Sequence, residues 1–462
     1  MATTTRGIGY DAINWIYRSY NRAKPHMPDG PDAVIRHPEW TGRLLERLGR
    51  PDTSMYNVAV TGSKGKGSHA ILTAAMLQRM GLRVGLFTGP HLVDFMERFR
   101  IDGEMMPEEL FVEYVARLRP LVESFQLPPG QYFGPVGLLA VLAVQWFAAA
   151  RTDVNVLELG RGARHDDVNQ VHHVGAIVGP IFLEHQRELG ATLAEVGFAK
   201  AGILTPDVRW AVTHPQSASV AEAFRVEAAG RLMTTLGADF RVVRAVPFGD
   251  GCRAEVETAR GRTALLLPGI RGTGTPSYLV DNAAVSLVAA EQVMADLRPN
   301  ERIPSEFDLR DLRLVGRLQV VHESPRVVVD GTIHGRSAEL VRQFIHNWRA
   351  AGNQGRIGAV IGIPADKDGP GVVHTLAREL DWLVVCSAHN PHLRFDERLA
   401  EAARSWLAEV TEAPFLEDAL AAAMERLAAD DLLLILGTQS LVGDAMQTFG
   451  VHTGSIWQRH GD

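Results

Sequence analysis

A chain of 462 residues exceeds what one hydrophobic core usually supports, so two domains are expected. Its composition, 46% hydrophobic and 22% charged, is that of an ordinary globular protein, and a net charge of −7 excludes a general nucleic-acid binder, which needs a basic surface to release counterions. Any anion site must therefore be local. Two cysteines, Cys252 and Cys386, are too few for a disulfide framework or a Cys-based zinc site and fit a reducing compartment. The opening "MATTTRGIGYDAINW" lacks the basic-then-apolar layout of a secretion signal, and no run approaches the ~18 apolar residues of a membrane span. A cytoplasmic protein without membrane or nucleic-acid partners is expected.

From residue 56 onward, short β-rich runs alternate with helical patterns, which predicts βαβ units around a mostly parallel sheet. The strands read as "YNVAV" (56–60), "RVGLF" (83–87), "VNVLEL" (154–159) and "GAIVG" (175–179). Between the first two, Ser68 to Met80 has few polar positions and no Gly or Pro, which predicts a mostly buried helix beginning after Gly67. A hairpin-like insert is expected over 240–268, where "DFRVVRAV" and "TALLLPG" flank a Gly-rich bend. A second alternating series runs through "RVVVDG" (326–331), "IGAVIGI" (357–363), "DWLVVCS" (381–387) and "DLLLILG" (431–437). The fold class is thus α/β in two domains, over 1–300 and 301–462, the second smaller and Rossmann-like and the first expected to be of P-loop, mononucleotide-binding type on the glycine loop that follows its first strand. Prolines and charges interrupt the apolar pattern between 297 and 317.

"VTGSKGKGS" (60–68) lies between the first strand and its helix. A strand, a glycine turn and a helix mouth gather backbone N–H groups and a positive helix end around one point, which suits a phosphate. Lys66 would add a point charge to the terminal phosphates and Ser68 a hydroxyl to Mg²⁺. Lys64 reads equally well as a solvated charge. The spacing departs from G-x-x-x-x-G-K-[ST], since residue 60 is Val and Gly67 separates Lys66 from Ser68. "ADKD" (365–368) has Asp366 where a guanine-reading motif wants Asn or Thr, so a GTPase is set aside. His172 and His173 are adjacent and receive no role, and "HNPH" (389–392) reads as a Pro-driven turn rather than a metal site.

The loop and its surroundings resemble the folylpolyglutamate synthase and dihydrofolate synthase branch of the Mur ligase family. That family's loop, G-T-N-G-K-G-S, is matched at Gly62, Gly65, Lys66, Gly67 and Ser68, with Ser63 and Lys64 in place of Thr and Asn. "TGPHLVDFMERFRIDG" (88–103) is similar to T-S-P-H-L-x-x-F-x-E-R-I-x-I-x-G, and "LELGRGARHDDVN" (157–169) to E-x-G-x-G-G-R-x-D-x-T-N. "LEHQRELG" (183–190), "AKAGI" (199–203), "DNAAVSLVAAE" (281–291), "VGRLQVV" (315–321), "DKD" (366–368) and "GTQSLVGD" (437–444) continue the likeness in order through nearly the whole chain.

This resemblance implies a monomeric ATP-dependent, ADP-forming ligase that activates a carboxylic acid as an acyl phosphate and couples it to an amine, with ATP and two Mg²⁺ ions as cofactors. It makes Lys66, His185 and Lys200 catalytic. It assigns Gly62, Ser63, Lys64, Gly65, Lys66, Gly67, Ser68, Asn282, Arg317 and Asp330 to ATP, with Asn282 reading adenine. Ser68, Glu158, His185 and a carbamylated Lys200 would hold metal, and His91, Phe95, Arg98, Arg164 and Asp166 would meet the acceptor acid. Phosphoryl transfer asks mainly for charge neutralisation and alignment, which such a set supplies. The family's D-G-A-H-N-P becomes "DGTIHG" (330–335), with Ile333 at the His position and His334 one place late; Thr438 falls in a segment that loses a tyrosine, and Arg187-Glu188 replace E-F. These departures lie in the amine half, so altered acid and amine partners in a specialised pathway are expected. A genuine glutamate-adding folate enzyme and a non-catalytic nucleotide-binding scaffold are the alternatives.

Overall fold

The computed structural model describes residues 9–269, 274–389, 393–395 and 398–457. The first sheet contains β1 (Asn57–Thr61), β2 (Val84–Phe87), β3 (Phe99–Ile101), β4 (Glu104–Met105), β5 (Val154–Glu158), β6 (Gly175–Val178), β7 (Trp210–Thr213) and β8 (Leu232–Thr235). They lie in the order β4-β3-β2-β5-β1-β6-β7-β8, parallel except for the antiparallel pairs β2–β3 and β3–β4. β1 is central and wholly buried, which explains its unbroken apolar run. Alternate residues face opposite ways: Ala59 enters the core under helix Pro135–Ala150, while Val58 and Val60 enter the core under Lys66–Arg79 and Ser277–Leu297. Val60 sits level with Glu158 on one side and Ile177 on the other. The loop leaving β1 therefore emerges where the chain connections part to either side of the sheet, the usual place for a ligand in such folds.

The expected hairpin is instead part of a four-stranded sheet of β9 (Arg241–Phe248), β10 (Gly251–Thr258), β11 (Gly261–Leu267) and β12 (Glu306–Asp308). β10 was hidden because Arg253, Glu255 and Glu257 alternate with the buried Cys252, Ala254 and Val256, which reads as a polar bend unless the period of two is followed. The third sheet holds β13 (Gln319–Glu323), β14 (Arg326–Asp330), β15 (Ile357–Gly362), β16 (Trp382–Ser387), β17 (Val410–Phe415) and β18 (Leu432–Gly437), in the order β13-β14-β18-β15-β16-β17. It is parallel apart from β13–β14.

Because β12 pairs with β11, we propose that the domain junction lies after Asp308 rather than at residue 300. Leu309 and Leu312 still belong to the first core and Leu318 to the second. The chain also returns. After helix Gln439–Thr448, Ile456 and Trp457 re-enter the first core, and Ser455 bridges to Glu104. Buried Arg100 grips this segment, donating to the carbonyls of Gly454 at 2.7 Å, Thr453 at 2.6 Å and Gly103 at 3.0 Å. The two crossings touch each other, the Arg313 N–H donating to the Ile456 carbonyl at 2.9 Å. Of "HNPH", only His389 lies within the described residues; its ring stacks on Phe415 at 4.3 Å. Among the described residues no helix is long and apolar enough to cross a membrane.

Candidate functional site

The loop after β1 depends on backbone shapes that only glycine adopts easily. Gly62 has φ +150° and Gly65 φ +79°, and a Cβ on Gly62 would stand 3.0 Å from the Gly179 Cα. Gly65 caps the following helix, which starts at Lys66 and not after Gly67. The first N–H groups of that helix have no intrahelical acceptor and face the loop's concavity. Ser63 pins the loop to the segment after β6, its N–H donating to Pro180 at 2.9 Å and its hydroxyl to Phe182 at 3.2 Å. The Ser68 hydroxyl is buried and has no hydrogen-bond partner. An orphaned buried hydroxyl at the mouth of an anion-binding helix suits a ligand such as hydrated Mg²⁺.

Four cations and two carboxylates surround this point. Lys66 Nζ donates to the Gly62 carbonyl at 3.1 Å, and Lys200 Nζ donates to the same oxygen at 3.0 Å while pairing with Glu184 at 2.9 Å. Burial, and then Lys66, pulls the Lys200 pKa down to about 8. Glu158, buried at the end of β5, accepts from the Gly89 N–H at 3.0 Å. Burial raises its pKa, while Lys66, that N–H, Arg317 and Arg98 oppose the shift. Arg317 comes from the start of the second domain, its guanidinium 3.8 Å from where a Cβ on Gly67 would lie. Burial lowers the Lys64 pKa and Arg317 adds to this, so Lys64 is a loop cation under pressure and not a solvated one. Among the described residues no group of three or more His, Cys, Asp or Glu is placed to hold a metal alone. Mg²⁺ needs only one or two protein oxygens beside phosphate and water, which Ser68 and Glu158 can offer.

Among the residues expected to meet an acceptor, Arg98 Nε donates to His91 Nδ1 at 3.2 Å and stacks over Phe95 at 5.2 Å. Burial and Arg98 lower the His91 pKa to about 4, so that ring is neutral. Glu97, which sequence reading passed over, shapes this loop. Its carboxylate accepts the N–H groups of Leu92, Val93 and Asp94 at 2.8–2.9 Å and the Thr453 hydroxyl at 2.7 Å. Two expected acceptor residues are engaged elsewhere. Arg164 pairs with Glu227 at 2.6 Å and stacks on Phe198 at 4.0 Å, and Asp166 is buried against Arg36 at 3.0 Å. Both charges are thus neutralised by protein partners, Asp166 because it is buried and Arg164 over the exposed Phe198. His173, given no role, is a core histidine whose two ring nitrogens each lie 2.9 Å from a carbonyl, of Val171 and of Ile203, and a neutral ring donates to one of them.

Asp167, next to Asp166, accepts from the Thr41 hydroxyl at 2.8 Å. Burial, then Asp166, raises its pKa from 3.8 to about 6, against Arg36 and the Thr41 bond. The folded state thus holds this proton more tightly than the unfolded chain, and stability from this group falls as pH rises from about 4 through 6. Asp167→Asn keeps an oxygen for Thr41 and removes the buried charge. Urea unfolding should find the variant stabilised by about 1–3 kcal/mol at pH 8 and by little at pH 4. A difference independent of pH would refute this account.

Asn282 lies in the second turn of Ser277–Leu297, not at the helix start that the sequence suggested. Its amide nitrogen is 3.1 Å from where a Cβ on Gly65 would stand, so it faces the phosphate loop. Beside it lies a pair that sequence reading missed: His69 Nε2 and His214 Nε2 are 2.9 Å apart, both rings buried. Burial lowers both pKa values, to about 3 for His69 and about 4 for His214. The two residues are 145 positions apart, and no local pattern joins them.

From the second domain, Asp330 at the end of β14 accepts from the Leu318 N–H at 2.9 Å and exerts its charge on Lys64. His334 reaches over the loop: its ring meets Phe182 at 6.0 Å, and burial followed by Lys64 lowers its pKa. His185 sits in a left-handed conformation, φ +46°, with Glu184, Arg161, Glu188 and Lys367 as its charged neighbours. Arg187 and Glu188 make ion pairs with Asp29 at 2.8 Å and Arg161 at 2.9 Å. The structure therefore gathers Lys64, Lys66, Ser68, Glu158, Lys200, Asn282, Arg317 and Asp330 around one loop and leaves Arg164 and Asp166 in pairs of their own.

Residues 316–439 match the family model described as Mur ligase, glutamate ligase domain. The chain is 30% identical over 419 residues to a probable bifunctional folylpolyglutamate synthase/dihydropteroate synthase of Haloferax volcanii, covering 88% of this chain but only 48% of that longer protein. It is 30% identical over 337 residues to the folylpolyglutamate synthase of Lacticaseibacillus casei, covering 70% of this chain and 75% of that one. A Mycobacterium tuberculosis folylpolyglutamate synthase structure, complexed with ADP and AMPPCP, superposes with a TM-score of 0.77 at 25% identity over 90% of this chain and 96% of that one. With the glycine loop, the flanking carboxylate and the second-domain arginine in place, the chain belongs to the folylpolyglutamate synthase family of ATP-dependent carbon–nitrogen ligases.

Proposed function

We propose that the protein uses ATP to phosphorylate the carboxylate of a folate-type acid and joins the resulting acyl phosphate to the amino group of glutamate. The observation that carries this reading is the convergence of Lys66, the orphaned Ser68 hydroxyl and Glu158 at the ends of β1 and β5, with Arg317 reaching in from the second domain. A carboxylate is a poor electrophile, and its mixed anhydride with phosphate is a good one. Lys66, Arg317 and the helix N–H groups neutralise charge on the transferred phosphoryl group, while Arg98 and His91 face the acid. Magnesium bound at Ser68 and Glu158 would supply further charge neutralisation. His185 and Lys200 are the proposed holders of a second ion.

Carbamylation of Lys200 requires its neutral amine. With a pKa near 8, about one amine in ten is neutral at pH 7, against about one in 2,500 for a free lysine. Ligase activity is expected to fall in CO₂-stripped buffer and to return with bicarbonate. Activity that ignores CO₂, together with no ¹³C carbamate signal, would leave Lys200 as the ammonium partner of Glu184 alone.

A second reading, a different acid–amine pair, is favoured by Ile333 and His334: the histidine meets Lys64 and Phe182 one position later than the resemblance expects. The test is a set of incubations with ATP, Mg²⁺, dihydropteroate or folates, other carboxylic acids and mixed amino acids, following ADP and product mass. ADP with glutamylated folate supports the first reading. ADP with only another pair supports the second, and nucleotide binding without ADP would indicate a scaffold.

A further inference from the structure

Two glycines of the second domain meet one residue of the first. Gly443 lies inside helix Gln439–Thr448, where glycine is a poorer helix former than alanine, and Gly316 precedes Arg317 in a left-handed conformation, φ +67°. Both face Leu92. A Cβ on Gly443 would overlap the Leu92 carbonyl oxygen, and one on Gly316 would stand 2.6 Å from Leu92 Cδ1 and 3.1 Å from Val442 Cγ1. Leu92 and Val93 pack there on the second domain's core, beside Val315 and Val442.

The stretch that carries Leu92 is braced from within. Glu97 accepts the N–H groups of Leu92, Val93 and Asp94, Glu158 accepts that of Gly89, and the Thr88 N–H donates to the Arg98 carbonyl at 3.0 Å. His91 adjoins Leu92, and its ring meets Arg98 Nε and, at 5.1 Å, the Phe95 ring. A displacement of Leu92 is therefore passed on to His91 and Arg98.

We propose that Leu92 is a positioning residue: seated on Gly443 and Gly316, it sets where the His91–Arg98 pair meets the acid relative to Arg317, the residue after Gly316. This rests on the reading of His91 and Arg98 as acid contacts. Phosphoryl transfer needs the acid's carboxylate aligned with the terminal phosphate, and a misplacement of about 1 Å is enough to cost about a hundredfold. Leu92 touches neither reactant; it joins the two frames that hold them.

The test follows ADP formation by the full-length protein at saturating ATP, Mg²⁺ and amine, varying whichever of dihydropteroate, a folate or the other carboxylic acids the native protein turns over. Competition with a fluorescent nucleotide gives Kd for ATP. Gly443→Ala, which alters only the second-domain side of the contact, should raise the acid KM about tenfold or more and leave Kd for ATP within about twofold of native. Leu92→Ala should raise the acid KM in the same direction, and Leu92→Met, which refills the seat, should restore it. A merely structural role would lower the amount of active enzyme, and so kcat, with a native acid KM in what remains. Thermal unfolding reports folding, and Leu92→Ala, at a half-buried position, carries the test if Gly443→Ala does not fold. A native acid KM in folded Leu92→Ala and Gly443→Ala, while His91→Ala raises it, overturns the proposal, and so does an equal weakening of acid and ATP. A native acid KM in His91→Ala, or no turnover of any acid, instead overturns the acid-contact reading beneath it and the proposal with it.

Discussion

Lys66→Met is expected to lower kcat for ADP formation by about 10³-fold, the scale seen when one charge-stabilising group is lost from a phosphoryl-transfer site. The fold should survive. Lys66 is half-buried, its one hydrogen bond goes to the Gly62 carbonyl, and Lys200 continues to satisfy that oxygen. Methionine keeps most of the stem's volume. The loss should be electrostatic and should spread: Lys66 lowers the pKa of both Glu158 and Lys200, so its removal raises both. Single-turnover ADP release beside a thermal melt checks this. A folded variant with activity within tenfold of the native protein would remove Lys66 from the chemistry.

Glu158→Gln should reduce kcat by about 10²-fold or more and raise the Mg²⁺ concentration needed for half-maximal rate. The amide oxygen can still accept from the Gly89 N–H, so the loop before His91 keeps its anchor. What disappears is a buried carboxylate lying among Lys66, Arg317 and Arg98, whose charges oppose the rise in pKa that its burial causes. Without it, three cations repel a divalent ion that one hydroxyl cannot retain. An unchanged Mg²⁺ dependence would place the ion elsewhere.

Much of the scaffold was legible because its signals are local. β1 is continuous and apolar since neighbours cover it on both faces, and Gly62 and Gly65 mark the two backbone angles a phosphate loop needs. The loop lysines and Ser68 follow from adjacency alone. What sequence reading missed depends on partners far along the chain, on backbone groups that no side-chain pattern announces, or on a period masked by charges. His69 meets His214 across 145 positions, Glu97 collects the amides of its own loop, and β10 disguises its period under three charged residues. Arg164 and Asp166 fit a motif by position, but Glu227 and Arg36, supplied by distant helices and loops, decide where their charges go.

The returning segment 453–457 changes how the second domain can move. A body held by one linker swivels about any axis. Here two segments lie side by side, bonded through Arg313 and Ile456, and form a two-stranded neck clamped by Arg100. Such a neck resists twisting, so the remaining freedom is a bend, with the smallest displacements beside the neck and the largest at the far rim. Arg317 and Leu318, whose N–H Asp330 holds, are within a few residues of the pivot. In such a bend Arg317 would move little, while Lys367 and His334 would shift against His185 and Phe182.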